Sequence, residues 1–104
     1  LLYSLGGNIN SAQQLISMCL GDMPDKINEL NLAYEEKDSK TIGKIAHSIK
    51  GSMLAIRCNL LADIATKIEN DAQDNSLEKL KTQLTTLKEE WEFVKQLLLE
   101  KIDE

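Results

Sequence analysis

Apolar residues recur along most of the chain at steps of three and four, the spacing that puts side chains on one face of an α-helix. The most regular stretch runs from Leu77 to Leu98 and predicts one long helix. A second stretch lies between Thr41 and Cys58, and a third follows Asn59, which can cap the helix it begins. The residues predicted to face the core in these three helices are Ile42, Ile45, Ala46, Ile49, Met53 and Ile56, then Leu60, Leu61, Ile64, Ala65 and Ile68, then Leu77, Leu80, Leu84, Leu87, Trp91, Val94 and Leu98.

The N-terminal third is less regular and predicts two helices. Residues 1–10 are expected to form an extended or loosely helical lead-in, after which Ser11 can cap a short helix that Gly21 interrupts. Pro24 fits the first turn of the next helix, which is expected to run to about residue 37. Asp38 and Ser39 then provide the break and cap before the following helix. Because the loops are short, the sequence predicts an all-α fold, an antiparallel up-and-down four-helix bundle with a short additional N-terminal helix, as a single domain over residues 1–104.

Composition and charge narrow the possible functions. The net charge is −5, and the lysines and the single arginine are spread along the chain without forming a basic cluster. A nucleic-acid-binding surface is therefore not expected. Cys19 and Cys58 lie far apart in the sequence and are predicted to be reduced thiols, as in a cytoplasmic protein. No apolar run approaches the roughly 20 residues of a membrane span, so a soluble chain without membrane insertion is expected.

The strongest candidate for chemistry is the single histidine, His47, which falls outside the apolar stripe of its helix. Gly43 and Gly51 stand four residues before and after it, although a glycine inside a helix costs about 1 kcal/mol relative to alanine. Since residues at those positions would otherwise crowd the imidazole, the glycines leave the ring open to a bulky partner. Lys50 can place an ammonium near an added phosphoryl group, and Lys44 and Ser52 could supply further charge or hydrogen bonds. A neutral imidazole is nucleophilic near neutral pH, so these residues together suit a phosphate carrier.

Other interpretations of the same residues also fit the sequence. A lone helical histidine can be an ordinary surface residue, and the chain would then be an interaction module, either a bundle or a coiled coil built on the seam from Leu77 to Leu98. Catalysis of other kinds is poorly supported, because there is no second histidine for a metal pair, no Ser-His-Asp order and no glycine-rich phosphate loop. Neither cysteine has a visible base that would make it a nucleophile.

Residues 46–52, which read Ala-His-Ser-Ile-Lys-Gly-Ser, resemble the AH-x-[LI]-KG-S signature of histidine-containing phosphotransfer (HPt) domains. The likeness extends over about residues 10–75. It implies that His47 accepts a phosphoryl group on a ring nitrogen from the aspartyl phosphate of a receiver domain and passes it to another receiver. Lys50 would correspond to the lysine beside the phosphate and Gly51 to the glycine that gives the receiver room. The resemblance also implies that the domain has no kinase or ATPase activity and binds no cofactor, magnesium being held by the receiver. The chain is expected to be a monomer.

The expected receiver-binding surface surrounds His47. It comprises Met23, Lys26, Gly43, Lys44, Ser52 and Leu54. Arg57 departs from the family pattern, since many members have a glycine there, and this leaves the geometry of the helix end open. The phosphoacceptor element of a sensor kinase is a rival, but it usually has an acidic residue after the histidine, where Ser48 stands. The first residue is Leu1, which favours a piece of a longer protein such as a hybrid sensor kinase; the receivers served and the direction of phosphate flow are not predicted.

Overall fold

The structure, a computed structural model, describes the backbone of residues 6–103 and the side chains of residues 13–100. It contains four helices: α1 (Gly6–Glu35), α2 (Ser39–Ala55), α3 (Asn59–Gln73) and α4 (Leu77–Asp103). Connections of three residues join successive helices, each helix packs on the next, and α4 returns to contact α1. The predicted all-α four-helix bundle with up-and-down connectivity is confirmed.

The core is apolar throughout, and among the side chains described no polar or charged one is buried. Each large aliphatic side chain removed from water contributes about 1.5–3 kcal/mol, so these contacts hold the helices together. Most of the predicted core positions are buried, with Ile45, Ile56, Leu77 and Leu98 packed at its edge, but Leu60 is exposed. The largest fully buried side chains are Met23, Leu30, Ile42, Ile49, Met53, Leu61, Ile68, Leu80 and Leu87.

The apolar seam of α4 faces this core rather than a second chain. Leu80, Leu84, Leu87, Trp91 and Val94 are all buried against the other helices. The seam is therefore already occupied within one chain and cannot also form the coiled coil that the sequence left open.

The prediction of two separate N-terminal helices is wrong, because α1 continues from Gly6 through Gly21 and Pro24 to Glu35. Ser11 accordingly lies inside the helix rather than at its start; the first five residues of the predicted lead-in lie outside the part that the structure describes. The buried side chains of Cys19 and Met23 flank Gly21 at the spacing of one helical turn. Burial of this continuous stripe against the core outweighs the local helix-breaking tendencies of the glycine and the proline.

The first turn of α2 is capped as the sequence predicts. The Asp38 carboxylate accepts hydrogen bonds from the backbone N–H of Thr41 (3.2 Å) and from its hydroxyl (2.6 Å). These bonds stabilise the ionised form and hold the pKa of Asp38 below its ordinary value. The predicted cap at Asn59 is wrong: Asn59 is the first residue of α3, and Cys58 precedes it without a side-chain hydrogen bond.

All three connections have the same backbone geometry. After α2, the N–H of Cys58 donates to the carbonyl of Met53 (2.8 Å) and the N–H of Arg57 to that of Leu54 (3.0 Å). These two bonds define a Schellman motif, whose turn residue adopts the left-handed conformation that favours glycine. The C-terminus of α2 therefore has the geometry in which glycine is usual, with Arg57 at the glycine position. The left-handed residues are Lys37 (φ 57°), Arg57 (φ 62°) and Asn75 (φ 55°).

Candidate functional site

His47 projects from α2 into solvent, and its side chain is 71% exposed. The adjacent Ala46 and the nearby Ile49 are both buried, so they fix the rotation of α2 that turns the imidazole outward. One edge of the ring is held by α3: the imidazole Nδ1 lies 3.2 Å from Oε2 of Glu69. The Glu69 side chain is only 23% exposed, so it reaches the ring from the groove between the two helices.

This contact determines which ring nitrogen is free to react. A carboxylate can only accept a hydrogen bond, so in the neutral imidazole the proton belongs on Nδ1, which donates to Glu69. The lone pair then resides on Nε2. Within the described part of the chain this is the hydrogen bond that the ring makes, so Nε2 remains available to an incoming group.

The two glycines flanking His47 are not required by packing within the chain. A Cβ atom added to Gly51 would meet no atom within 4 Å, and one added to Gly43 would touch the Ala72 Cβ at 3.8 Å, an ordinary van der Waals distance. Neither glycine has a positive φ. The open space beside the imidazole that the sequence predicts is therefore present at Gly51, whereas Gly43 faces α3. An alanine would fit at either position, so packing within the chain does not explain the helix-propensity penalty of the two glycines.

A shallow groove of about 710 Å³ runs between α2 and α3 beside His47. Lys40 and Lys44 lie along it, about two turns and one turn before His47, while Glu69 is its acidic residue. Lys50 lies one turn after the histidine and is half-buried. A dianionic group attached to Nε2 would thus have ammonium groups on both sides along α2.

Three of the predicted partner contacts do not lie beside the imidazole. Met23 is 1% exposed, because it is on the core face of α1, so its predicted exposure is wrong. Ser52 is five residues after His47, about 140° around α2, on the side facing α1. There its hydroxyl accepts a hydrogen bond of 3.4 Å from the Lys26 ammonium. Leu54, by contrast, is 50% exposed on the same face as His47.

Glu69 is the site residue that the sequence did not single out. It belongs to a different helix, and only the α2–α3 turn brings it to the histidine. His47 and Glu69 each lie eleven residues from Cys58, at the end of that turn. In an antiparallel hairpin, residues equally far from the turn face one another, so the position of the turn was the signal that could have identified Glu69.

Other chemistries find little support in the described residues. No group of three or more His, Cys, Asp and Glu side chains among them could hold a metal ion. Cys19 is buried, and burial raises the pKa of its thiol, which opposes formation of the reactive thiolate. No helix in the described range is long and apolar enough to cross a membrane.

Comparisons with known proteins identify the family and the fold of the chain. A model of the Hpt domain family matches residues 14–97. No curated protein matches the chain at a significant level. The fold is similar to that in the crystal structure of histidine-containing phosphotransfer protein B (HptB) from Pseudomonas aeruginosa PAO1, with a TM-score of 0.84 and 21% identity over 88% of this chain and 79% of that one. Because the family model covers most of the chain, the protein belongs to the Hpt domain family, the phosphocarriers that exchange phosphoryl groups with receiver domains in two-component phosphorelays.

Proposed function

We propose that His47 is the phosphoacceptor of this Hpt domain and that Nε2 is the atom that carries the phosphoryl group. The observation that carries the proposal is the exposed ring with Nδ1 tied to Glu69 at 3.2 Å, which leaves the Nε2 lone pair free. Nε2 forms a bond to phosphorus as the bond from phosphorus to the aspartyl oxygen of a receiver breaks, and the aspartate leaves as a carboxylate. The reverse reaction with the aspartate of another receiver passes the group on.

The residues around His47 have distinct parts in this proposal. Lys50 and Lys44 offset the negative charge of the phosphoryl group from either side of the histidine. Gly51 leaves room for the receiver, since an added Cβ there would meet no atom within 4 Å, and Gly43 keeps the surface low where α2 meets Ala72 of α3. Leu54 adds an apolar contact at one end of the same face.

The Lys26 and Ser52 pair lies at the edge of the proposed receiver surface, on the side of α1. The magnesium ion of the transfer is proposed to be held by the receiver, and the domain to have no kinase or ATPase activity of its own. We propose that the domain is a monomer, because its four helices enclose one apolar core within a single chain.

The direct test is to incubate the chain with a receiver domain carrying a labelled aspartyl phosphate. We expect acid-labile, base-stable label on the wild type and none on His47→Gln. Ser48→Ala alters the exposed neighbouring residue and should be labelled like the wild type. Circular dichroism of each variant establishes that it is folded and helical. Label on His47→Gln, or an unlabelled but folded wild type with several receivers, would refute His47 as the acceptor.

A further inference from the structure

The partner of the histidine is an acid, and its negative charge has consequences after phosphorylation. Resting on the proposed function, we infer that Glu69 keeps the proton on Nδ1 while Nε2 carries the phosphoryl group. It thereby holds phosphohistidine in the form that gives the group away readily. Glu69 is thus a positioning residue that sets how long the phosphoryl group stays on the domain.

The positions of the Nδ1 proton and the Nε2 electron pair in each step explain why the negative charge of Glu69 affects phosphoryl release. When Nε2 of a neutral imidazole attacks phosphorus, its lone pair becomes the N–P bond and the ring, still protonated on Nδ1, becomes positive. In onward transfer the N–P bond breaks, the electron pair returns to Nε2 and the ring is neutral again with the same Nδ1–H. If Nδ1 lost its proton in between, the leaving group would be an imidazolate anion, which departs poorly.

The structure places a negative charge beside Nδ1 and positive charges along the neighbouring groove. The Glu69 carboxylate is 3.2 Å from Nδ1, at the edge of the ring away from the reacting nitrogen. Lys40 and Lys44 line the same groove from α2 and bring positive charge to the surface beside His47. A carboxylate this close attracts the positive ring of the phosphohistidine, and solvent screens the attraction less because the Glu69 side chain is only 23% exposed.

A charge effect can be separated from a hydrogen-bond effect by Glu69→Gln. The glutamine oxygen still accepts the hydrogen bond from Nδ1–H, so the ring orientation is kept while the charge is removed. Asp63→Asn is the matched control, because Asp63 is an exposed carboxylate on the same helix and its loss changes the net charge equally. Asp63 lies six residues from Glu69 and about 120° away around α3.

The experiment loads each variant with phosphoramidate, a small phosphodonor that needs no receiver, and follows the release of inorganic phosphate after the donor is removed. We expect Glu69→Gln to release phosphate roughly fivefold more slowly than the wild type, as expected for the loss of one nearby, partly screened charge. Asp63→Asn should match the wild type. Nitrogen-15 NMR of the phosphorylated ring should show Nδ1 protonated in the wild type and less protonated in Glu69→Gln at the same pH.

Release from Glu69→Gln at the wild-type rate, or an unprotonated Nδ1 in the phosphorylated wild type, would overturn the inference. If Glu69 served only as a hydrogen-bond acceptor, Glu69→Gln would behave like the wild type and only Glu69→Ala would differ. Because phosphoramidate replaces the receiver, failure of receiver transfer alongside the expected difference in release would count against the proposed function alone. Normal receiver transfer without that difference would count against this inference alone.

Discussion

Gly51 offers a test in which stability and transfer should move in opposite directions. It stands inside α2, exposed, with no atom within 4 Å of the position of an added Cβ. Alanine there should stabilise the fold by about 1 kcal/mol through helix propensity alone. For a domain of this size that gain raises Tm by about 4–8 °C. Leucine is almost as good a helix former and should keep most of the gain while placing a branched side chain one turn from the imidazole.

The same leucine is expected to slow phosphoryl transfer from a receiver by about 5- to 150-fold, because forcing extra atoms into a packed contact costs about 1–3 kcal/mol and each ~1.4 kcal/mol is a factor of ten. Thermal unfolding followed by circular dichroism and the initial rate of transfer from a labelled receiver measure the two effects. Gly21 provides the matched control, since it is also an exposed glycine inside a helix with open space around it, but on α1. Gly21→Leu should be stabilised to a similar degree and transfer at the wild-type rate.

The reasoning is refuted if Gly51→Leu is stabilised and still transfers at the wild-type rate, because the glycine would then not be admitting a partner. If Gly51→Ala were less stable than the wild type, glycine at this position would not destabilise α2 as helix propensity predicts. Equal slowing in Gly21→Leu would assign the effect to the bundle as a whole rather than to the surface around His47.

Three further predictions test the helix ends and the lysines. Arg57→Gly should raise the free energy of unfolding by about 1 kcal/mol, because the left-handed conformation costs a non-glycine residue about that much; an unchanged or lower denaturation midpoint would contradict this. Asp38→Ala should lower Tm at neutral pH. Since the pKa of Asp38 is lowered in the folded state, its contribution is complete above the ordinary carboxyl pKa and is lost as the pH falls through the lowered value. The Tm difference from the wild type should therefore close on acidification, whereas a difference that stays constant as the pH falls would exclude the ionised cap. Lys50→Ala should reduce the yield or lifetime of phosphorylated protein more than Lys81→Ala, a matched change on the exposed face of α4; equal effects in the labelling assay would remove Lys50 from the site.

The sequence predicts most of the bundle because burial follows helical spacing in α2, α3 and α4. It failed at α1, where Gly21 and Pro24 are local signals of a break. Those signals carry about 1 and 3 kcal/mol in an isolated helix. Burial of Met23 and Leu30 on the continuous stripe outweighs them, and this tertiary contribution cannot be obtained from local residue preferences.

The candidate site was predictable as far as it lies on one helix. His47, its glycines and Lys50 are related by steps of three and four, so the spacing alone places them together. Glu69 was not predictable in the same way, because its contact with the imidazole depends on where the turn between α2 and α3 falls. Met23 was misplaced for a related reason: its exposure depends on the rotation of α1, which is set by packing against the other helices.

The three-residue connection between α2 and α3 also bears on how the site assembles during folding. Closing so short a loop loses little chain entropy, and contacts within a helical hairpin have low contact order. Among the described residues, the packing of α1 on α4 is the helix pairing that brings distant parts of the chain together. Substitutions that weaken the α1–α4 contact should therefore reduce the folded population while leaving the encounter of His47 with Glu69 unchanged in every molecule that folds.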